Sequence, residues 1–293
     1  MADRAIDPAP YRFRPGARLA DLPTDDVGPF ESEDDAEAAV RDLVDTLPRL
    51  QHICHAHGTR GLLVVLQGMD AAGKDEAIVQ VLGAMDPQQC EASHVHAPTG
   101  REGQHDYLWQ IYRMLPGRGQ VAVLNRSYYE RVIGDRVHPD RLDEQSLPPE
   151  VQAGADGGTL WADRLRQIRD FERYLTENGI AVRKLLLPVS KEAQRERLIE
   201  RTERPEKRWD VSMADATDRD RWDDFMAAYQ DALDETSTDA APWYVVPSDQ
   251  RWFARAVVAS VVADALASFH DGFPEPDDEQ QERIESVRAA LGA

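Results

Sequence analysis

The sequence predicts an α/β protein in which helices cover both faces of a parallel β-sheet. Two observations predict this class. Five short apolar runs recur along the chain, and segments of helical periodicity separate them. The chain has 293 residues, enough for one large core, and shows no internal repeat. We therefore expect one α/β domain with insertions.

Each predicted strand is a short run rich in aliphatic, β-branched or aromatic residues. In chain order, the runs LLVVL, ASHVHA, QVAVL, IAVRKLLLPV and WYVVP occupy residues 62–66, 92–97, 120–124, 180–189 and 243–247. Because a helical segment separates each run from the next, we expect the strands to be parallel.

Helices are predicted where apolar residues recur at helical spacing. Ser32 and Asp35 can cap the first helix, and Gly179 is placed to end the long helix over 160–179. The first helix carries its apolar residues at Val40, Leu43, Leu47 and Leu50. The other predicted helices begin at Lys74 and cover 105–115, the segment SYYERVIG, 190–202, 218–235, 249–269 and the acidic tail. A Pro- and Gly-rich connection fills 138–158.

Composition excludes several classes of function. The net charge is -20, with 54 acidic and 34 basic residues, which argues against nonspecific nucleic-acid binding. Only four of the basic residues are Lys. An acidic, Lys-poor surface is compatible with a salt-rich cytoplasm, and the alternative is an acidic protein without that adaptation. No apolar run suits a membrane span, the N-terminus lacks a signal-like apolar region, and two cysteines give no disulfide framework. We expect a cytoplasmic protein that contacts neither nucleic acid nor membrane.

The stretch LLVVLQGMDAAGKDEA, residues 62–77, carries the strongest motif. Its Gly-x-x-x-x-Gly-Lys pattern follows a predicted strand and opens a predicted helix, which is the structural context of a phosphate-binding loop. Gly68 and Gly73 let successive backbone N–H groups point at an anion, and Lys74 adds a positive charge. The alternative is a structural glycine turn.

Two carboxylates make this loop unusual. Asp70 lies inside it, where a negative charge facing phosphates requires a metal ion, so we predict that Asp70 binds Mg²⁺. Asp75 stands where Ser or Thr is usual. It is either a second metal ligand or a first-turn acid that complements the helix dipole.

The third predicted strand ends in Asn125, at a place where such folds commonly carry an acid for the metal. Arg126 and Arg131 follow around a turn and are suited to clamping phosphates. Glu130 is the nearest acid that could replace the missing one. For Arg131 and Glu130 the alternative is a solvated helix surface.

A basic segment extends from Arg195 to Arg208 and includes Arg204 and Lys207. In so acidic a chain this clustering indicates a lid, about residues 194–225, that closes over phosphates and excludes water. The alternative, a helix of internal ion pairs, explains residues 195–203 and explains RPEKRW less well. Trp209 is the candidate for contact with a nucleobase.

Other conspicuous residues are assigned to structure. HICHAH, residues 52–57, is interpreted as a helix terminus and not as a metal cluster. Five aromatic residues are assigned to the core, namely Trp109, Tyr112, Trp161, Phe171 and Tyr174.

Several of these segments together resemble the family-2 polyphosphate kinases. The similarity covers roughly residues 36–270 and is carried, in order, by GMDAAGKD, NRSYYERV with RVHP after it, PEKRW, RWDDFMAAYQDAL and TSTDAAPWYVVPSDQRWFAR. The resemblance implies a P-loop nucleotide-kinase-like fold with a helical lid. It also implies Mg²⁺-dependent phosphoryl transfer between inorganic polyphosphate and nucleotides, with Asp70 and Lys74 in the catalytic site and Arg126 contacting phosphate. Asn125 resembles the subgroup that accepts both AMP and ADP.

The sequence departs from the family pattern at a few positions. Glu76 and Ala77 follow Asp75 where Gly or Ser and then Thr are usual, His96 replaces a common Lys, and Gln110 replaces a common Arg. Together the changes remove two positive charges and add a negative one near the predicted site. We expect them to alter rate or substrate preference.

We therefore predict a polyphosphate:AMP/ADP phosphotransferase that is reversible in principle, with three regions: an extended N-terminal arm (1–35), a catalytic domain (36–275) and an acidic C-terminal helix (276–293). The alternatives are an ATP-using nucleotide or small-molecule kinase and a catalytically weak polyphosphate- or nucleotide-binding homologue. The predicted catalytic residues are Asp70, Lys74 and Arg126. The predicted phosphate-binding residues are Gly68, Met69, Ala71, Ala72, Gly73, Lys74, Asp75, Arg131, Arg136, Arg204, Lys207 and Arg208.

The remaining predictions concern ligands and assembly. Nucleotide binding is assigned to Asn125, Arg126 and Glu130, and metal binding to Asp70, Glu130 and Asp75. The expected metal is Mg²⁺, with Mn²⁺ as the alternative. The expected nucleotides carry adenine, with guanine as the alternative. We expect a homo-oligomer, either a dimer or a tetramer.

Overall fold

The computed structural model describes residues 6–98, 100–156 and 158–292. Within them, one parallel sheet has the strand order β2–β3–β1–β4–β5. The strands are β1 (Gly61–Gln67), β2 (Cys90–His94), β3 (Val121–Asn125), β4 (Ile180–Leu186) and β5 (Trp243–Val245). In this order β1 is central, and Leu66 near its end pairs with Asn125 at the end of β3. The predicted parallel sheet is confirmed, and each strand overlaps its predicted run.

The helices of the described residues are α1 (Glu33–His57), α2 (Lys74–Leu82), α3 (Trp109–Tyr112), α4 (Gly134–Val137), α5 (Pro149–Asp156), α6 (Thr159–Glu177), α7 (Lys191–Glu203), α8 (Met213–Thr217), α9 (Trp222–Thr236), α10 (Arg251–Ala267) and α11 (Asp278–Ala290). They cover the sheet on both faces. Leu62 and Val64 of β1 lie in the core formed with α1, α2 and α10, whereas Leu63 and Val65 lie in the core formed with α6 and α9. This alternation follows from the two-residue period of a strand.

The predicted helix ends are confirmed where cap residues marked them. The side chain of Ser32 accepts a hydrogen bond from the backbone N–H of Asp35 at 3.2 Å, and α1 begins at the next residue. α6 ends two residues before Gly179, which has φ +87°. HICHAH is the last turn of α1, as interpreted, and it is followed by the left-handed Gly58.

Two predicted helices are much shorter than expected. Over residues 105–115 only α3 is α-helical, and the Asp106 carboxylate accepts from the backbone N–H of Leu108 at 2.9 Å. This local turn competes with the helix that the apolar spacing favoured. The segment SYYERVIG forms a single 3₁₀ turn over Tyr128–Arg131 before α4. The predicted connection over 138–158 contains a 3₁₀ helix and α5.

The assignment of aromatic residues to the core is wrong in part. Phe171 of α6 is buried, but Tyr112 of α3 and Tyr174 of α6 are more than half exposed. The spacing of apolar residues did not distinguish the exposed side of these helices from the buried side.

Residues 6–32, the described part of the chain before α1, contact the body of the protein. The backbone N–H of Phe13 donates to the carbonyl of Trp243 in β5 at 2.8 Å, and the side chains of Phe13, Leu19 and Phe30 are buried. At the other end, α11 buries none of its residues. Within the described residues, no helix is both long enough and apolar enough to cross a lipid bilayer.

Candidate active site

The phosphate loop, residues 68–74, connects the end of β1 to the start of α2 and requires glycine at two points. Gly68 has φ +151° and Gly73 φ +103°. A Cβ on Gly68 would lie 2.8 Å from the backbone oxygen of Leu187, so a side chain there would clash with backbone. Ala71 also has a positive φ, at +63°. The loop thus has the backbone turn and the helix N-terminus that an anion-binding nest needs.

Lys74 is buried beneath this loop. Its Nζ donates to the backbone oxygens of Gly68 at 2.8 Å and Met69 at 3.0 Å. Burial, aided by the positive charge of Arg126, lowers the pKa of Lys74 to about 8. The ammonium is therefore held by carbonyls in this structure, and an anion in the loop would restore its usual pKa.

Asp70 lies within the loop and faces Arg126, which follows β3. The two side chains form a close ion pair, and Arg126 Nη1 forms a second ion pair with Glu130 Oε2 at 3.5 Å. Burial would raise the pKa of Asp70, but the charges of Arg126 and Lys74 outweigh it and lower that pKa. Arg126 has φ +60°, a strained value for an arginine that aims its side chain at the loop.

Asn125 and Asp75 meet at the mouth of the same loop. Asn125 Nδ2 donates to Asp75 Oδ1 at 2.5 Å, which fixes the amide orientation. The other amide atom, Asn125 Oδ1, is buried and has no hydrogen-bond partner among the described residues. An unpaired acceptor beside acidic side chains points to a ligand that supplies a donor or a cation.

These side chains line the phosphate cleft, a cleft of about 860 Å³ between the loop and the lid. It brings together the predicted residues Asp70, Ala71, Ala72, Gly73, Lys74, Asp75, Asn125, Arg126, Glu130, Arg131, Arg204 and Lys207. Arg131 and Glu130 are not on a solvated surface, because Arg131 is buried and the Glu130 side chain is only 15% exposed. Trp209 also lines the cleft, with 80% of its surface exposed.

Four residues predicted to bind phosphate do not line this cleft. Gly68 and Met69 belong to the phosphate loop but line a separate small cavity, and their carbonyls accept from Lys74. Arg208 is outside the cleft lining. Arg136 is also outside it, since the turn of α4 directs its Nη1 to Asp231 of α9 at 2.6 Å. The geometry thus gives Arg136 an interhelical contact in place of the predicted phosphate contact.

Sequence reasoning missed several residues that complete the cleft. Asp215 of α8 lies opposite Asp70, and burial and that neighbouring charge raise the pKa of Asp215. Its partner is Arg201, at 3.2 Å, while Arg251 reaches the cleft from α10 and binds Glu200 at 2.8 Å. The available signal is the pattern S-x-x-D over residues 212–215, which is typical of a helix start and forms a capping box here. Only folding places that helix over the loop.

A second cavity, the side cavity, adjoins the phosphate cleft and measures about 620 Å³. Its walls come from the 98–110 segment, from α5 and from α6. Tyr107 and Trp109 line it, and the guanidinium of Arg164 lies 5.0 Å from the Tyr107 ring centroid. Arg131 lines both cavities, so the two spaces meet at a buried positive charge.

The Polyphosphate kinase 2 (PPK2) family model matches residues 30–272 of this chain. The chain belongs to the polyphosphate kinase 2 family. It is 40% identical to an ADP-polyphosphate phosphotransferase of Rhodopseudomonas palustris over 90% of this chain and 91% of that one. It is 37% identical to an AMP/ADP-polyphosphate phosphotransferase of Meiothermus ruber, over 91% and 96% of the two chains.

A solved structure extends the likeness to the whole fold. The crystal structure of polyphosphate kinase 2 from Arthrobacter aurescens TC1 matches with a TM-score of 0.84 and 36% identity, covering 97% of this chain and 98% of that one. The resemblance seen in the motifs is therefore confirmed, and the phosphate cleft is the candidate active site of a polyphosphate kinase 2.

The residues of this kinase fit Mg²⁺ only in combination with bound phosphates. Within the part of the chain that the structure describes, no three His, Cys, Asp or Glu side chains are grouped to hold a metal ion. Asp70, Asp75 and the unpaired Asn125 oxygen nevertheless lie at one mouth of the loop. Mg²⁺ is typically bound by one or two carboxylates together with substrate phosphates and water, and these oxygens suit that mode.

Two departures from the family pattern lie beside the cavities. His96 lines the phosphate cleft and Gln110 the side cavity, and the Gln110 Nε2 donates to Glu102 Oε2 at 3.2 Å. The backbone oxygen of His96 accepts from Arg131 Nη2 at 2.7 Å. His96 and Gln110 therefore lie near Arg131 and the border between the two cavities.

Proposed function

We propose that this kinase transfers a phosphoryl group between inorganic polyphosphate and AMP or ADP, using Mg²⁺, with Mn²⁺ as the alternative. The observation that carries the proposal is a phosphate loop facing a row of lid cations in a chain whose relatives are named for this reaction. Adenine nucleotides are the expected acceptors, and guanine nucleotides are the alternative.

The proposed roles follow the charges of the cleft. Lys74 and the loop N–H groups hold the transferred phosphoryl group, while Arg126 and Arg131 offset charge that develops on its oxygens. Asp70 binds the metal, with Glu130 or Asp75 as its second ligand. When bound, Mg²⁺ neutralises phosphate charge. Phosphoryl transfer needs little covalent chemistry from the protein, so position and charge account for most of the catalysis.

The side cavity is the proposed site of the acceptor nucleoside. Its volume lies within the range of small-ligand sites, its walls combine aromatic rings with polar groups, and Arg131 at its inner end can bind the acceptor phosphate. This arrangement would bring an acceptor from one side and polyphosphate from the lid side to the same loop.

The reaction is tested with purified protein, ADP, long-chain polyphosphate and Mg²⁺, in the absence of ATP. ATP formation is expected, and ADP formation when AMP replaces ADP. If neither product forms while ATP phosphorylates an added nucleotide, the protein is an ATP-using kinase and the proposal is wrong. Omitting Mg²⁺ should abolish turnover, and adding Mn²⁺ should restore part of it.

The acceptor site is tested by filling the side cavity. Val151 of α5 lines this cavity, whereas its neighbour Gln152 is exposed and does not. We expect Val151→Phe to raise the KM for the nucleotide at least about tenfold, equivalent to about 1.4 kcal/mol, and to leave the KM for polyphosphate unchanged. Gln152→Phe is the matched control. Equal KM values for nucleotide in the two variants would place the acceptor elsewhere.

The compartment and the assembly are proposed on narrower grounds. Cys54 and Cys90 are both free thiols, which fits the reducing cytoplasm as the proposed compartment. The predicted dimer or tetramer stays a prediction, and light scattering of the purified protein measures it directly.

A further inference from the structure

An ion pair joins the lid to the first turn of α2 across the phosphate cleft. Lys207 Nζ, in the lid, donates to Glu76 Oε1 at 3.3 Å. Glu76 is the third residue of α2, two positions after Lys74, and both partners line the cleft. A carboxylate on the helix that follows the phosphate loop is thus paired with a lid cation that lines the phosphate cleft.

The surroundings of Glu76 are positive on the lid side. Burial would raise the pKa of Glu76, but its own backbone N–H, Lys207 and Arg251 outweigh that effect and lower it, so the carboxylate is charged. Glu76 also acts electrostatically on Arg197. One acid therefore offsets part of the positive charge on the lid side of the cleft.

A polyphosphate chain and the Glu76 carboxylate compete for the same ammonium. A donor that leaves the loop near Lys74 and extends toward Lys207 passes the start of α2, where Glu76 lies. It gains Lys207 only by displacing Glu76. The side chains of Glu76 and Lys207 are 31% and 46% exposed, so the pair is weak enough for a substrate to open.

We propose that the Glu76–Lys207 ion pair is a strap that the phosphate donor has to open, so that Glu76 sets the affinity of this kinase for polyphosphate. The inference rests on the proposed function, because it takes polyphosphate as the donor. It assigns Glu76 a role in donor affinity that is separate from the chemistry at Asp70 and Lys74.

The first measurement is the Kd of long-chain polyphosphate by titration calorimetry, together with its KM in the ADP assay. Glu76→Gln keeps the size of the side chain and removes its charge. We expect both constants to fall about fivefold, the effect of removing one exposed ion pair of about 1 kcal/mol, with the KM for ADP unchanged. Glu203→Gln is the matched control, since Glu203 is an exposed lid acid outside the cleft lining. It should change neither constant.

A double-mutant cycle with Lys207→Ala distinguishes an effect of Glu76 through Lys207 from direct repulsion between the Glu76 carboxylate and polyphosphate. If Glu76 acts through Lys207, Glu76→Gln strengthens binding less than twofold in the Lys207→Ala background. An equal gain in both backgrounds, or no gain in either, overturns the strap. A wild-type protein that neither binds polyphosphate nor forms ATP from it overturns the proposed function instead, and the two failures are therefore distinguishable.

Discussion

The two carboxylates of the phosphate loop differ in what surrounds them. Asp70 is paired with Arg126 and lies close to Lys74, whereas Asp75 is exposed and contacts the Asn125 amide. The sequence analysis ranked Asp70 above Asp75 as a metal ligand from position alone, because Asp70 lies inside the loop and Asp75 in the first turn of the following helix. The structure supplies a physical difference, because a carboxylate among cations has a lower pKa and remains an anionic ligand.

We expect Asp70→Asn to lower kcat/KM by about 100-fold or more, the scale seen when one group that stabilises the transition state electrostatically is removed. Asp75→Asn should lower it by less than about tenfold, because the amide can still contact Asn125. Steady-state assays with ADP and polyphosphate measure both. Equal losses in the two variants would show that the ranking of the carboxylates is wrong.

Lys74 gives a prediction about pH. Burial lowers its pKa to about 8, so part of the free protein lacks this charge near pH 8. A phosphate in the loop favours the protonated amine. Polyphosphate binding should therefore take up protons at pH 8, and its affinity should fall as the pH rises through that value.

Titration calorimetry at pH 8 in two buffers of different ionisation enthalpy measures this proton uptake. The same titration of Lys74→Met is the control, because protonation of polyphosphate itself contributes equally to both proteins. If the variant takes up as many protons as the wild type, Lys74 is already fully charged before binding.

Among whole elements, α7 supports the phosphate loop from behind. Arg197 is buried and donates to the backbone oxygens of Ala71 in the loop and of Ser248 and Asp249 before α10. Gln194, one turn earlier, donates to the backbone oxygen of Asp70 at 3.0 Å. The sequence marked this helix as a basic lid, but its buried face serves to position the loop.

We expect Arg197→Ala to lower the free energy of unfolding by about 3 kcal/mol, because it leaves buried carbonyls without a donor. Arg195→Ala, on the exposed side of the same helix, should change it by no more than about 0.5 kcal/mol. Urea denaturation measures both. Similar values for the two variants would mean that Arg197 contributes no more than a surface charge.

In the whole molecule, a buried polar network links β4, α6, α9 and the turn that follows β3 on one face of the sheet. Lys184 of β4 and Glu172 of α6 are almost fully buried and lie 2.5 Å apart, and Lys184 also donates to the backbone oxygen of Thr236 at the end of α9. Tyr128 and Tyr129, just after Arg126, donate to Glu172 at 2.8 and 2.9 Å. Burial raises the pKa of Glu172 and lowers that of Lys184, so each charge depends on the other.

We expect Lys184→Met to lower the free energy of unfolding by about 3–5 kcal/mol, the usual cost of leaving one member of a buried ion pair. Adding Glu172→Gln should recover part of that loss, because the amide oxygen still accepts from the tyrosines and carries no charge. Thermal and urea unfolding of the single and double variants measure the coupling. A double variant less stable than Lys184→Met would contradict a dependence of the two charges on each other.

The sequence by itself determined the parallel sheet, the phosphate loop and the family, because these depend on local signals: apolar runs, glycine spacing and ordered motifs. It also singled out Asp70, Lys74 and Arg126, which lie in or next to those motifs and line one cleft; their catalytic roles stay a prediction. Tertiary structure decided which distant groups meet them. Asp215 and Arg251 reach the cleft, and Arg136 does not, because the path of the chain and the packing of helices set those contacts. The spacing of residues along the chain does not encode contacts between segments that are 95 or more residues apart.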